Sequence, residues 1–122
     1  MVGFVFWNEN PENEIKGDCV NRAIAYASGY SYDDITEKLY YTGKLLECDP
    51  LCVECYEFLL TDYFGFEPIN CEGLTLYEFA ERHPVGLYLV RSNGHISVLD
   101  NYNVIDIWDC RDMLLTKAWK IL

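Results

Sequence analysis

A cysteine, a histidine and two aspartates occupy positions at which they could form a cysteine-nucleophile site. Cys19 falls in the first turn of a predicted helix, and His95 lies on a predicted strand. Asp106 and Asp109 follow on or just after the next strand. A thiol nucleophile, an imidazole base and an orienting carboxylate are often distant in sequence and meet only in the fold. The order of these residues therefore predicts a thiol-dependent hydrolase with a Cys-His-Asp triad.

The predicted position of Cys19 favours the reactive form of its thiol. A free thiol with a pKa of about 8.5 is mostly protonated at neutral pH. The dipole and the free N–H groups of a first helical turn favour negative charge, and a neighbouring imidazolium on His95 would lower the pKa of the thiol further. The same N–H groups could stabilise the oxyanion that forms when a carbonyl is attacked. The second histidine, His83, precedes Pro84 at a helix end and is expected to interact with the helix C-terminus.

The residues themselves leave the identity of the orienting carboxylate open. A turn near residues 101–102 would join the two strands as a hairpin, with His95 opposite a residue near Trp108. Asp106 and Asp109 then both lie close to the histidine. A change of register by one residue exchanges which of them shares its face of the sheet. Both aspartates are therefore candidates.

The elements that must position these residues are predicted to be helices first and strands afterwards. Apolar spacing and capping signals predict helices that begin after Asp18, Ser31, Asp49 and Thr75 and end near Gly29, Tyr41, Tyr63 and Pro84. Short apolar segments between turn residues predict strands over residues 2–7, 86–91, 95–100, 103–108 and 115–121. Helices followed by an antiparallel meander indicate one α+β domain over residues 1–122.

Composition excludes several classes of function. The chain has 122 residues, of which 51% are hydrophobic, so it can build the core of a single domain. Twenty acidic residues against nine basic ones give a net charge of −11, which excludes nucleic-acid binding and favours a basic partner. No apolar segment approaches the roughly 18 residues of a membrane span, and residues 2–7 are too few for a signal-peptide core. We therefore expect no membrane partner and a cytoplasmic location.

The six cysteines are expected to be free thiols that bind no metal or cofactor. A disulfide framework requires a secreted context, which the sequence does not indicate. A zinc site formed by Cys48, Cys52 and Cys55 with Cys71 or Cys110 is the alternative. Zinc ligands usually come from tight loops, whereas two of these residues fall in a predicted helix. The first three also have the spacing of the radical SAM iron–sulfur motif, but those enzymes require a far larger partial barrel.

Residues 17–25, 75–90, 94–95 and 106–109 form an ordered series of blocks that spans most of the chain. In this order they resemble small papain-like cysteine peptidase-like proteins, which are often carried by bacteriophages and bacteria. The resemblance implies a papain-like fold, in which the helix that carries the cysteine packs on a C-terminal antiparallel sheet that carries the histidine. It implies a peptidase or amidase with a peptide or amide substrate, and a location in the host cytoplasm if the protein is phage-encoded.

The resemblance also bears on the remaining site residues. Residues 106–109 are similar in placement to the Asn-Ser-Trp-Gly run of papain, which favours Asp106 as the orienting carboxylate, with Trp108 covering it and Asp109 as the alternative. Papain-like enzymes carry a glutamine six residues before the cysteine that helps to stabilise the oxyanion, and Asn13 occupies that offset here. The Cys-Gly-Ser-Cys-Trp stretch of papain is absent.

A non-catalytic binding module with the same fold is the alternative hypothesis. An acidic, aromatic-rich chain with only the short Asn13 at the oxyanion offset would suit a phage protein that binds or inhibits a host protein, or sequesters a small molecule. The two hypotheses differ in the role of Cys19, because a Cys19→Ser substitution would abolish catalysis and leave binding intact.

Overall fold

The computed structural model describes residues 1–122, and its helices and strands follow the predicted order apart from one additional strand between the third and fourth helices. The α-helices are α1 (Cys19–Ser28), α2 (Tyr32–Leu46), α3 (Val53–Phe58), which continues into a π-helical segment (Leu59–Tyr63), and α4 (Leu76–Arg82). The strands are β1 (Gly3–Phe6), β2 (Glu67–Ile69), β3 (Leu87–Ser92), β4 (His95–Asp100), β5 (Asn103–Asp106) and β6 (Lys117–Lys120). The predicted α+β class is confirmed. None of the helices combines the length and the apolar composition needed to cross a bilayer.

The strands form one six-stranded mixed sheet in the order β1-β5-β4-β3-β6-β2. Neighbouring strands are antiparallel except at one edge, where β1 pairs in parallel with β5. The C-terminal strands are antiparallel, as predicted, but the prediction that they form a meander was wrong, because β6 pairs with β3 rather than with β5. No pairing was predicted for β1. All four helices separate β1 from β5 along the chain, so no hairpin forces these two strands to run in opposite directions. The edge strand β2 was not predicted; its Pro68 has no N–H group and is tolerated at a sheet edge.

Both faces of the sheet are covered by helices. On one face, buried side chains of α1, including Ile24, pack with Leu89 of β3 and Val98 of β4. On the other face, Phe79 of α4 packs with residues from the alternate positions of the same strands, among them Leu99. The helix that begins with the cysteine therefore lies directly against β4, the strand that begins with the histidine.

Local capping signals account for most of the helix starts. Ser31 and Thr75 accept hydrogen bonds from backbone N–H groups of the first turns of α2 and α4, as predicted. The helix predicted to begin after Asp49 begins later, at Val53, and Cys52 is its N-cap. The difference arises because the Asp49 carboxylate accepts the N–H of Leu51 at 2.8 Å, which closes a separate turn before the helix.

We predict that Thr75→Ala destabilises the fold by about 1 kcal/mol, because the first turn of α4 loses the hydroxyl acceptor for one of its free N–H groups. Urea denaturation followed by circular dichroism measures the change. Thr75→Ser keeps the hydroxyl and is the matched control, with a loss well below that of the alanine variant. Equal losses in the two variants would show that the hydroxyl does not act as a cap.

Candidate active site

Cys19 is the first residue of α1 and borders an open cleft. The first backbone hydrogen bond of the helix runs from the N–H of Arg22 to the carbonyl of Asp18 at 3.0 Å. The N–H groups of the three preceding residues therefore have no acceptor within the helix. The cysteine is partly buried, and with His95 it lines a cavity of about 350 Å³. The thiol thus lies at a helix N-terminus beside the imidazole, in a place that a substrate can reach.

The register of β4 and β5 brings Asp106 to the histidine. Val98 pairs with Ile105, so Asp106 lies opposite Ser97 and on the same face of the sheet as His95. Its Oδ2 atom lies 2.8 Å from Nε2 of His95 and accepts a hydrogen bond from the Ser97 hydroxyl at 2.6 Å. An ionised carboxylate only accepts hydrogen bonds, so Nε2 of the histidine carries the proton.

The alternative carboxylate points elsewhere. Asp109 is exposed, and its two oxygens accept hydrogen bonds from the backbone N–H and the guanidinium of Arg111 at 2.7 to 3.1 Å. Between the two aspartates, Trp108 lies against His95 with ring centroids 4.7 Å apart. The indole, which the sequence predicted would cover the carboxylate, therefore contacts the imidazole. The geometry places Asp106, not Asp109, beside the histidine.

Asn13 is separated from the other predicted site residues. It is exposed in a turn with a φ of 57°, where its N–H donates to the carbonyl of Asn10 at 2.9 Å. It lines neither of the two cavities that Cys19 borders. The structure thus brings together the cysteine, the histidine and one aspartate, and it leaves the N–H groups at the start of α1 as the candidate donors to an oxyanion.

The surroundings of Cys19 and His95 favour a thiolate on the cysteine and an imidazolium on the histidine. Burial alone would raise the pKa of the Cys19 thiol, but the His95 imidazole and the N–H of Ile96 hold it below its ordinary value of 9.0. Burial alone would lower the pKa of His95, but Asp106, helped by neighbouring thiols, raises that pKa to about 11. Both shifts favour the form of the pair in which Cys19 is a thiolate and His95 an imidazolium.

A buried arginine connects the helix start to the orienting carboxylate. Nε of Arg22 donates to Asp18 at 2.8 Å, and its Nη1 lies 3.4 Å from Oδ1 of Asp106. Asp18 also accepts hydrogen bonds from Asn10 at 3.0 Å and from the Tyr32 hydroxyl at 2.8 Å. Asp18 occupies the predicted N-cap position, but its side chain makes no cap hydrogen bond because the guanidinium engages it. Sequence reasoning missed this network; the available signal was the i,i+4 spacing of the aspartate and the arginine.

Cys110 is the other residue that sequence reasoning did not place in the site. Its Sγ lies 3.5 Å from Oδ2 of Asp106, and the ligand atoms of His95, Asp106 and Cys110 lie within 4.8 Å of one another. Such donors suit zinc. However, Oδ2 already accepts hydrogen bonds from the histidine, the thiol and Ser97, so the three groups satisfy one another as a hydrogen-bonded cluster.

The predicted alternative zinc ligands lie on opposite faces of the sheet. Cys48, Cys52 and Cys55 belong to or pack against the core beneath α1, whereas Cys71 and Cys110 belong to the core beneath α4. Neither of the last two can therefore complete a site with the first three. All six cysteines are free thiols.

Known proteins offer no independent assignment of the site. No protein-family model matches the sequence, and no curated protein or solved structure shows significant similarity to it. The chemical interpretation therefore depends on the contacts described above, and the papain-like resemblance of the sequence stays a prediction.

We predict that Arg22→Met destabilises the protein by about 3–5 kcal/mol, because Asp18 and Asp106 lose the only buried cation that pairs with both of them. Denaturant titration measures the free energy of unfolding. Arg82→Met is the matched control, because this exposed arginine on α4 should be replaced at a cost of less than about 0.5 kcal/mol. A loss for Arg22→Met no larger than that of the control would contradict the structural role of the buried ion pair.

We also predict that the fold loses stability in acid. Burial alone would raise the pKa of Asp106, but hydrogen bonds from His95 and Ser97 hold it below its ordinary value of 3.8. A carboxylate with a lowered pKa in the folded state stabilises the fold above its ordinary pKa, and this contribution is lost as the pH falls. The free energy of unfolding, measured by urea titration from pH 5 to pH 3, below the range in which His95 titrates in the unfolded chain, should therefore decline less steeply in Asp106→Asn than in the wild type.

Asp109→Asn is the control for the acid experiment. Its carboxylate is exposed and screened by solvent, so its removal should change the pH dependence little. If Asp109→Asn flattened the curve more than Asp106→Asn, the buried aspartate would not be the main titrating group.

Proposed function

We propose that this protein is a thiol-dependent hydrolase, a peptidase or amidase that forms an acyl-enzyme on Cys19. The observation that carries the proposal is geometric: Cys19 and His95 line one cavity, and Nε2 of the same histidine is held by Asp106 at 2.8 Å. With Nε2 bound to the carboxylate, Nδ1 is the ring nitrogen left to exchange a proton with the thiol. A papain-like fold and a bacteriophage origin belong to the same proposal and depend on the resemblance of the sequence.

In the acylation step, the thiolate of Cys19 attacks the carbonyl carbon of the substrate. A carbon–sulfur bond forms, and the carbonyl electron pair moves to the oxygen, where the N–H groups at the start of α1 stabilise the negative charge. As the tetrahedral intermediate collapses, the carbon–nitrogen bond breaks and the imidazolium of His95 gives its proton to the leaving amine. The products are a thioester and a free amine.

In the deacylation step, the neutral imidazole acts as the base. His95 takes a proton from a water molecule as the water oxygen adds to the thioester carbon. The second intermediate expels the thiolate of Cys19 and releases the carboxylic acid. Asp106 stays ionised throughout; it fixes the orientation of the ring and stabilises the imidazolium in both steps.

The shape of the surface supports an extended substrate. The cavity of about 350 Å³ at the thiol adjoins a second cavity of about 500 Å³, and Gly17 and Leu51 line both. The cysteine follows Gly17 by two residues, so a chain lying across this glycine would pass the nucleophile. This continuity favours a peptide over a small isolated amide.

We predict that Cys19 reacts with iodoacetamide as an activated thiol. In wild-type protein the rate should reach half its maximum at a pH below the pKa of free cysteine, because the imidazolium stabilises the thiolate. His95→Gln should move this midpoint upward by about 1 to 3 pH units, since the neighbouring cation is removed. The measurement is the rate of modification of the Cys19 peptide, followed by mass spectrometry between pH 5 and pH 10.

Cys48 provides the internal reference. Hydrogen bonding with Cys52 raises the pKa of Cys48 to about 12, so its thiol should stay unmodified where Cys19 reacts, and Cys48→Ala should leave the Cys19 profile unchanged. Peptide thioesters should also leave an acyl group on Cys19 when the reaction is quenched in acid. An ordinary thiol profile and no acyl adduct would contradict hydrolysis and leave the non-catalytic binding module as the interpretation.

A further inference from the structure

The cleft at Cys19 has a charge opposite to that of the protein as a whole. The chain carries 20 acidic and nine basic residues, yet neither aspartate nor glutamate lines the cavity that Cys19 shares with His95. The imidazolium of His95 and the thiolate of Cys19 balance each other there, and the remaining charged side chain in the lining is the guanidinium of Arg91. Since the catalytic proposal already assigns a role to the histidine, Arg91 is the cation in the cleft that remains to be explained.

Arg91 is held at the cleft by strand register and by two hydrogen bonds. It pairs with Ile96 across β3 and β4, and Arg91, Ile96 and Cys19 line the same cavity. Nε of the guanidinium donates to the Thr116 hydroxyl at 3.2 Å, and Nη1 donates to Glu57 at 2.7 Å. These two contacts fix the plane of the guanidinium and do not use Nη2; the Tyr56 hydroxyl, which lines the same cavity, also interacts with the guanidinium.

The charge of Arg91 is only partly neutralised. Its carboxylate partner, Glu57, also accepts from Lys117 at 2.6 Å through its other oxygen. Two cations thus share one carboxylate, and the cluster carries a net charge of +1. Glu57 and Lys117 do not line the cavity, so the cation that a ligand meets there is the arginine. Because Nε and Nη1 are engaged by Thr116 and Glu57, Nη2 can donate one charge-assisted hydrogen bond to a carboxylate oxygen.

We infer that Arg91 is a specificity-determining residue that binds a carboxylate of the substrate near the scissile bond. The inference rests on the proposed hydrolase activity and names its substrate class, namely peptides with an acidic side chain or a free terminal carboxylate at this position. The two sources offer the same chemistry and differ in where the carboxylate is attached. Neutral and basic peptides lose the contact and react more slowly.

Chloroacetyl amino acids that alkylate Cys19 test the inference. The thiolate forms a carbon–sulfur bond and chloride leaves, so the rate reports binding beside the thiol without requiring hydrolysis. N-chloroacetyl-glutamate α-amide carries a side-chain carboxylate, N-chloroacetyl-glutamine carries a terminal carboxylate, and N-chloroacetyl-glutamine α-amide is the neutral reference. At subsaturating concentration, we expect at least one anionic probe to react about tenfold faster than the neutral probe, relative to their rates with free cysteine. The preferred anionic probe identifies the source of the carboxylate.

Two variants of Arg91 and one control variant of Arg82 locate the effect. Arg91→Met should reduce the preference for the anionic probe to near the ratio seen with free cysteine, and Arg91→Lys should restore part of it. Arg82→Met removes the same charge from an exposed site on α4 and should keep the preference of the wild type. Thermal unfolding establishes whether each variant is folded, and the wild-type comparison of probes requires no substitution.

The outcomes separate this inference from the proposed function. Equal wild-type rates with all three probes, together with an activated Cys19 in the iodoacetamide experiment, would overturn the anion subsite and leave the hydrolase proposal standing. An unactivated Cys19 would overturn the hydrolase proposal itself. A preference that survives in Arg91→Met would assign the attraction to His95 and also overturn the inference.

Discussion

The buried ion pairs of Arg22 are the interaction on which the candidate site depends. One guanidinium binds the carboxylate that precedes α1 and the carboxylate that ends β5, and both pairs are almost inaccessible to water. Removing one partner of a buried pair leaves an uncompensated charge, which is far more costly than losing a surface pair. The arginine therefore holds Asp18 and Asp106 in fixed relation. Since Cys19 follows the first and His95 binds the second, the arginine also helps to position the thiol relative to the imidazole.

The same network explains why a thiolate on Cys19 and an imidazolium on His95 can form although both side chains are partly buried. Arg22 helps to keep Asp106 ionised, and the ionised Asp106 keeps the proton on His95. Moving a proton from Cys19 to the imidazole creates two opposite charges side by side and leaves the net charge of the cluster unchanged. The protein thus stabilises a thiolate without burying an additional net charge, whose desolvation would be costly. The start of α1 and the side chains of Arg22, Asp106 and His95 therefore act together to stabilise the charge on the thiol.

Features that depend on local sequence could be predicted, and those that depend on distant contacts could not. The β4–β5 hairpin follows from alternating apolar residues around a turn at Asn101 and Tyr102, whose φ angles of 45° and 74° match the turn types that join twisted strands. The cysteine and histidine were found because helix-start and strand patterns are local. The choice of Asp106 required the register, and the parallel pairing of β1 and the bridge formed by Arg22 required the assembled fold. No local signal specifies partners 84 residues apart.

The contrast between an acidic surface and a cationic cleft has a physical consequence for selectivity. With a net charge of −11, the molecule repels anions at long range, but at physiological ionic strength this repulsion is screened beyond about 8 Å. Arg91 acts inside the cleft, where surrounding protein reduces screening and Glu57 is shared with Lys117. The net charge of the protein thus repels an anionic substrate only weakly as it approaches, and Arg91 attracts the substrate strongly once it is in the cleft. Selectivity of this kind arises in the bound complex. Raising the salt concentration should therefore reduce the long-range repulsion more than it weakens the contact between the substrate and Arg91.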